Sequence, residues 1–354
     1  MRRARGFTLI EILIALGLAG IMSAFLLMLT RGQLMAYQMN DGVSRAQQNS
    51  RAGMDYIEQM LRRACGGIQY GEVGINVPGV GQSVQPCLKV WDGASVTSSS
   101  FTSSAPATLP DAIEVIYGTA PYTQLTIAPS FPTVTVSDTT GFAVNDYVLI
   151  TDFQGAAELF QISSMTSTVT GNTAPGTFTF ASPGGTPVAM PALGGAKSYT
   201  PGINDGVLKA ESLSVYVSST DGTLMVDSRG MLSTSHTTYA QPLIDGAVDL
   251  QVAVGIDADN NGLLAAGEWA GSSTSLPSTG IPAALPWNVG TTQPLLRQLR
   301  VTLLVQTSDK YPGTLATALG PYEDRTSYPA AASPSPRYRA LSMTVAPRAW
   351  NLTN

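Results

Sequence analysis

Apolar positions fall into three regimes along the chain. From Phe7 to Leu29 they run almost unbroken, interrupted only by Thr8, Glu11, Ser23 and glycines. As a helix this stretch is about 34 Å long, close to the thickness of a bilayer's hydrocarbon core. Behind it, Val43, Ala46, Ser50, Met54, Ile57, Leu61 and Ala64 recur at spacings of three and four. That spacing is one face of a helix. No proline occurs before Pro78, so the pattern predicts one long helix over residues 7–64, ended by Gly66 and Gly67. Arg51 with Asp55, and Glu58 with Arg62, stand four apart on its polar faces and are placed to pair.

From Cys65 onward the period becomes two. It predicts strands at Ala112–Gly118, Gln124–Ala128, Thr133–Val136, Tyr147–Thr151, Leu159–Ser163, Leu213–Ser218, Leu224–Asp227, Val248–Gly255, Leu299–Gln306 and Ala340–Val345. Thr220-Asp221-Gly222-Thr223 is a tight-hairpin signal between two of them. Gly71-Glu72-Val73-Gly74 and Gly79-Val80-Gly81 read as loop, because no helix follows to complete a phosphate-binding turn. The expected fold class is α+β: a long N-terminal helix, transmembrane over 7–29, packed on a large antiparallel β-rich head over 65–354. Residues about 129–196 read as an inserted β subdomain.

Composition narrows the class. Charged residues make up only 12% of the chain, and glycine, serine, threonine and proline are abundant, as in secreted β-rich proteins. The net charge of −5 argues against broad contact with nucleic acid phosphates, so no direct nucleic-acid binding is expected. Arg2, Arg3 and Arg5 keep the front end cytoplasmic and place everything after Thr30 outside. Two cysteines in an exported chain favour a Cys65–Cys87 disulfide, with two buried free thiols as the alternative.

Glu11 needs an explanation. An ionisable group at the centre of a membrane helix costs about 2.5–3.5 kcal/mol on the lenient insertion scale. A secretory signal would show a small-residue cleavage site behind the apolar stretch, and a plain anchor leaves Glu11 unexplained. The run Arg5-Gly6-Phe7-Thr8-Leu9-Ile10-Glu11 resembles the N-terminus of type IV prepilins and type II secretion pseudopilins. The resemblance implies cleavage between Gly6 and Phe7 by a prepilin peptidase and N-methylation of Phe7. It also implies pairing of Glu11 with the Phe7 amine of a neighbouring subunit. Two charges in an apolar filament core then satisfy each other and set the axial register. Many major pilins carry a proline in mid-helix, and this chain has none.

The head resembles the PilW family of minor pilins in three places: Leu61-Arg62-Arg63-Ala64-Cys65, Leu243-Ile244-Asp245-Gly246-Ala247-Val248-Asp249-Leu250-Gln251-Val252, and the closing arginine-rich stretch Arg337–Arg348. In that family an asparagine tends to follow the last arginine; here Ala349 and Trp350 intervene. The resemblance implies a non-enzymatic subunit of a type IV pilus that acts in assembly or initiation at the tip. Its partners are then other minor pilins, the major pilin, the prepilin peptidase, the inner-membrane assembly platform and membrane lipid. The head waits in the periplasm on a single inner-membrane span, and later reaches the pilus at the cell surface. A J-like minor pseudopilin of type II secretion is the alternative, and a membrane-anchored surface enzyme or lectin a more distant one.

One motif carries further chemistry. Asp257-Ala258-Asp259-Asn260-Asn261-Gly262, with Glu268 following, fits the calcium-loop pattern. Asp257, Asp259, Asn261 and Glu268 supply hard oxygens, and Leu263 a backbone carbonyl, which suits Ca²⁺. The alternative is an acidic turn between two strands. The single histidine, His236, sits among serines and threonines and reads as solvated surface with no catalytic partners. Arg297, Arg300, Arg337, Arg339 and Arg348 read as intramolecular pairs and solvated strand faces.

Overall fold

The computed structural model describes residues 8–68, 71–96, 101–103, 108–153, 157–168, 174–181, 199, 205–232, 235–259, 261–271, 295–310, 322–323, 325, 328 and 335–346. The first element, α1 (Leu9–Arg63), is a single helix of 55 residues, about 82 Å long at 1.5 Å per residue. Thr8 caps its start: the Glu11 N–H donates to Thr8 Oγ1 at 3.4 Å, and the Thr8 N–H donates to Glu11 Oε2 at 2.9 Å. At the far end the Ala64 N–H donates back to Met60 and Leu61, and Gly67, at φ +80°, turns the chain away. The Glu58–Arg62 pair forms at 2.6 Å; Arg51 and Asp55 form none, and Arg45 pairs with Asp41 at 3.0 Å instead.

Seventeen strands are described. The chain passes through β1 (Glu72–Val77), β2 (Gly81–Pro86), β3 (Leu88–Trp91), β4 (Ala94–Val96), β5 (Phe101–Ser103) and β6 (Ala112–Gln124). Then come β7 (Thr133–Val136), β8 (Tyr147–Thr151), β9 (Ala157–Ser167), β10 (Gly176–Phe180), β11 (Gly206–Ser218) and β12 (Thr223–Asp227). A one-turn helix, α2 (His236–Tyr239), leads into β13 (Ala240–Asp245). The last strands are β14 (Ala247–Asp257), β15 (Trp269–Ala270), β16 (Leu295–Gln306) and β17 (Tyr338–Val345).

Eleven of these strands make one large sheet organised on β11. Along one edge β11 pairs with β6 from Gly206 to Tyr216. Along the other, its first residues pair with β8 and its last with β12. The β6–β11 ladder skips Ala120 and Pro121, which places the proline at a bulge, where its missing N–H breaks no ladder bond. A second, four-stranded antiparallel sheet runs β15-β14-β16-β17. The result is the expected α+β layout, a long N-terminal helix followed by a large head rich in antiparallel strands.

The helix meets the head through its C-terminal half only. Gly42, Ala46, Ser50, Gly53, Met54, Ile57, Met60 and Leu61 are buried, and the helix packs against β13, β16, β17 and β6. Fully burying a side chain such as Ile57 or Leu61 contributes about 1.5–3 kcal/mol. A second core lies between β7, β8, β9 and β10, built on Phe142, Phe160, Phe178 and Phe180. All four of its strands are members of the large sheet, β7 joining it through β10 and β10 through β9.

Two local expectations are corrected. The loop reading holds for Gly79 and Val80, which lie in the turn of a β1–β2 hairpin, and fails for Glu72, Val73 and Gly74 in β1 and for Gly81 at the start of β2; β1 also pairs in parallel with β9. Gly71, Gly79 and Gly81 have φ of +71°, +84° and +94°, so they turn the chain at the ends of the hairpin, while cross-strand bonding holds Gly74 within β1. Gln124–Ala128 is not a separate strand. Gln124 ends β6, and Leu125 makes one isolated bridge to Val136.

Candidate assembly site on the N-terminal helix

From Thr8 to Gln38 every residue of the helix is exposed, including Leu9, Ile10, Leu13, Ile14, Ile21, Phe25, Leu26 and Leu27. Monomeric soluble proteins rarely leave so long a continuous apolar surface open. The helix is long and apolar enough to cross a membrane. Glu11 is its sole carboxylate before Asp41. Its Oε2 accepts bonds from the Thr8 N–H and from Thr8 Oγ1 (3.0 Å), so in the isolated chain the acid is held by its own helix cap. Gly6 and Phe7 lie outside the described residues.

The expected disulfide is present: Cys65 and Cys87 are bonded, with Cα atoms 5.2 Å apart. Around it the Cys65 N–H donates to Ile116, and the Ile116 N–H donates to Cys87. Gly118 donates to Gly66 at 2.7 Å. The end of α1 is thereby fastened covalently to Cys87, between β2 and β3, and by hydrogen bonds to β6.

The acidic loop joins β14 to β15, two antiparallel strands, so its setting differs from a helix-loop-helix. Asp257, Asp259 and Glu268 each bring an oxygen within 4.8 Å of the others. Asp257 Oδ1 accepts the Asn261 N–H, and Oδ2 accepts the Gly262 N–H and the Arg297 guanidinium at 2.9 Å. Burial pushes the Asp257 carboxyl up, but the Gly262 N–H, Arg297 and the Asn261 N–H together hold it below the usual range. The N–H groups of Ala265 and Ala258 hold the Glu268 carboxyl below its usual range. Asn261 turns its Oδ1 to the Leu263 N–H and its Nδ2 to Asp259. The three carboxylates fit a hard divalent cation in chemistry and spacing. Arg297 and such a cation compete for one oxygen of Asp257.

His236 corrects the surface reading. It is 3% exposed, with Nδ1 3.1 Å from Oδ2 of the fully buried Asp227, and Nε2 4.0 Å from Oε1 of Glu114. The ring lies 4.3 Å from that of Phe101, centroid to centroid. Glu114 accepts the Trp91 indole N–H at 2.6 Å, and Lys89 sits over the Trp91 ring at 3.7 Å. Burial pushes the Glu114 carboxyl up, against the Trp91 bond and the nearby Lys89 ammonium. The partners come from β6 and β12, so the serines and threonines beside His236 in the chain gave no sign of them. His236, Asp227 and Glu114 are all buried.

Of the late arginines singled out in the sequence, Arg297 and Arg300 form ion pairs within the head. Arg297 meets Asp257. Arg300 makes a two-pronged contact with Glu323 at 2.7 Å on each prong, over the Trp269 ring. Arg325, which the sequence did not single out, reaches Asp249 at 2.8 Å, and Tyr328 donates to the same carboxylate. Arg339 lies on an exposed position of β17, and Arg348 lies outside the described residues.

The family model for the prokaryotic N-terminal methylation motif matches residues 1–27. No curated protein and no solved structure matches the chain significantly. The methylation motif and the exposed apolar helix that continues it support a membrane-anchored, type IV pilin-like protein, either a pilin or a pseudopilin.

Proposed function

We propose that this chain is a PilW-like minor subunit of a type IV pilus, placed at or near the tip and acting in assembly. A prepilin peptidase cuts between Gly6 and Phe7 and methylates the new amine. The observation that carries this reading is the lone Glu11 in the first turn of a helix that is apolar to Leu29 and exposed as far as Gln38. In an assembled core a neighbour's Phe7 amine takes over from Thr8 as the partner of that carboxylate. Fixing register is the best-attested use of such a buried pair. Supporting a low-abundance role is the bulk of the head, about four-fifths of the chain, which is large for a repeating subunit. The chain works by structure and not by catalysis.

The test is the mass of the N-terminal peptide from native membranes, with and without prepilin peptidase. A peptide that begins at methylated Phe7 only when the peptidase is present is the expected result. A persistent start at Met1, or a cut beyond Leu29, overturns the reading. A J-like pseudopilin gives the same peptide, and neighbouring secretion-system genes in place of minor-pilin genes distinguish it. Within the same reading, Asp257, Asp259, Asn261, Glu268 and the Leu263 carbonyl hold Ca²⁺ and stiffen the β14–β15 loop. Calorimetric titration with millimolar Ca²⁺ is expected to give heat and a higher Tm; absence of both removes the cation.

A further inference from the structure

Where α1 leaves the head, a cleft of about 520 Å³ opens. One wall is the helix from Gly42 to Asn49. The others are the β11–β12 turn at Asp221 and Gly222, the β13–β14 turn at Asp245 and Gly246, and the end of β16 running on to Ser308. The walls are fixed. Asn49 Nδ2 donates to the Asp245 carbonyl at 3.1 Å, and the Gln306 N–H donates to the Gly246 carbonyl at 2.7 Å. Gly246 has φ +78°, and a Cβ there would lie 2.6 Å from the Gln306 oxygen, so this turn is pressed onto the strand end.

The charge of the cleft is one-sided. Among the described lining residues the only cation is Arg45, which is already paired with Asp41. Asp221 meets a hydroxyl, Ser218 Oγ, at 3.5 Å. Among the described residues no lysine or arginine forms an ion pair with Asp221 or Asp245. The converse is found lower on the same helix. Arg31 is exposed, two residues beyond the apolar run, and has no ion-pair partner among the described residues. It precedes the cleft-lining stretch 42–49 by 11–18 residues, which is about 17–27 Å along the axis. A head-to-tail interface needs two different, complementary patches on each subunit. An acidic socket and a basic plug at different heights on one rod meet that requirement.

We propose that the cleft receives an arginine or lysine from the N-terminal helix of an adjacent pilin-class subunit displaced by about 20 Å along the assembly axis. Arg31 makes the reciprocal contact on the next subunit. The inference rests on the assembly reading above and adds to it the surface and the chemistry of the partner.

The test uses the full chain in its native cells, with a photo-crosslinking amino acid replacing Ser308 at the cleft rim. The expected product joins this chain to a peptide from another pilin-class subunit's N-terminal helix, at or beside a basic residue. Its yield is expected to fall about tenfold with Asp221→Arg plus Asp245→Arg, the scale of a contact that reverses from attraction to repulsion. Unchanged protease resistance of the head shows that the double variant folds. If the variant does not fold, Asp221→Asn plus Asp245→Asn is measured in its place, with the same direction of change expected. Products that map to other surfaces, or a yield indifferent to these charges, overturn the proposal. If Arg31→Glu alone reduces incorporation while the cleft variants do not, Arg31 serves lipid headgroups and the socket is refuted. Failure of the assembly reading is distinct, because the unsubstituted chain then shows neither Phe7 processing nor any product with a pilin-class subunit.

Discussion

Replacing His236 by alanine tests the reassignment of that residue from surface to interior. The substitution removes the imidazole from Oδ2 of Asp227, a carboxylate with no exposure, and takes a ring away from Phe101. Losing one partner of a buried polar group costs about 1–3 kcal/mol. An aromatic contact adds about 0.5–1.5 kcal/mol. The Arg229 N–H still bonds Asp227 Oδ1 at 2.8 Å, which limits the damage on that side. The expected loss is therefore about 2–4 kcal/mol. Urea unfolding of the full chain in detergent, followed by tryptophan fluorescence, measures it; Trp91, bonded to Glu114, reports from within the cluster. Repeating the substitution in an Asp227→Asn background isolates the pair, and a coupling of at least about 1 kcal/mol is expected. A loss below about 0.5 kcal/mol, the range of ordinary surface changes, with no coupling, refutes the buried-anchor argument.

Three further outcomes follow from the geometry. Replacing Cys65 and Cys87 together by serine opens a link across a sequence separation of 22 residues and is expected to cost about 3 kcal/mol in unfolding measurements; no difference from the oxidised protein sinks this. Gly53→Val places a Cβ 2.9 Å from Ile244 Cδ1 and 3.0 Å from Leu303 Cδ2, with branches to fit besides. Overpacking of about 1–3 kcal/mol outweighs the gain in helix preference, so the Tm falls; an unchanged or higher Tm contradicts the docking of α1 on β13 and β16. In the acidic loop, Asp257 and Glu268 have folded values below their unfolded ones. Their contribution is complete above about pH 4.5 and is lost as the pH falls through the lower folded values. Amide protection at Ala258, Gly262 and Ala265, corrected for intrinsic exchange, is expected to hold from pH 7 to 5 and to fall below about pH 4.

The helix was legible because two signals agree along it, an unbroken apolar run and then a three-four repeat, with no proline to interrupt. Thr133–Val136 was legible to the residue because it alternates strictly, and Tyr147–Thr151 because a short β-branched apolar run follows the turn residues Asn145 and Asp146. The β1 and β2 strands were not, since their glycines dominate the local signal while the bonds that extend them come from β9 and from each other. β6 was cut short at Gly118 because Pro121 argues against a strand interior, and only the ladder with β11 shows the bulge that accommodates it. Glu11 could be singled out from the sequence because a carboxylate in an apolar run is anomalous wherever it occurs. His236 could not, because Glu114 is 122 positions away in the chain and nothing local announces it.

The continuity of α1 has a mechanical consequence. Tension applied between the exposed segment and the head runs along one hydrogen-bonded rod with no proline hinge, and arrives at Ala64. There it need not pass through side-chain packing alone. The Cys65–Cys87 bond and the backbone bonds to Ile116 hand the load to the large sheet through a covalent shunt. The head is thus moored at the terminus of its stalk, so that pulling tends to shear the Gly42–Leu61 face along β16 and β17 before it can peel the helix end away.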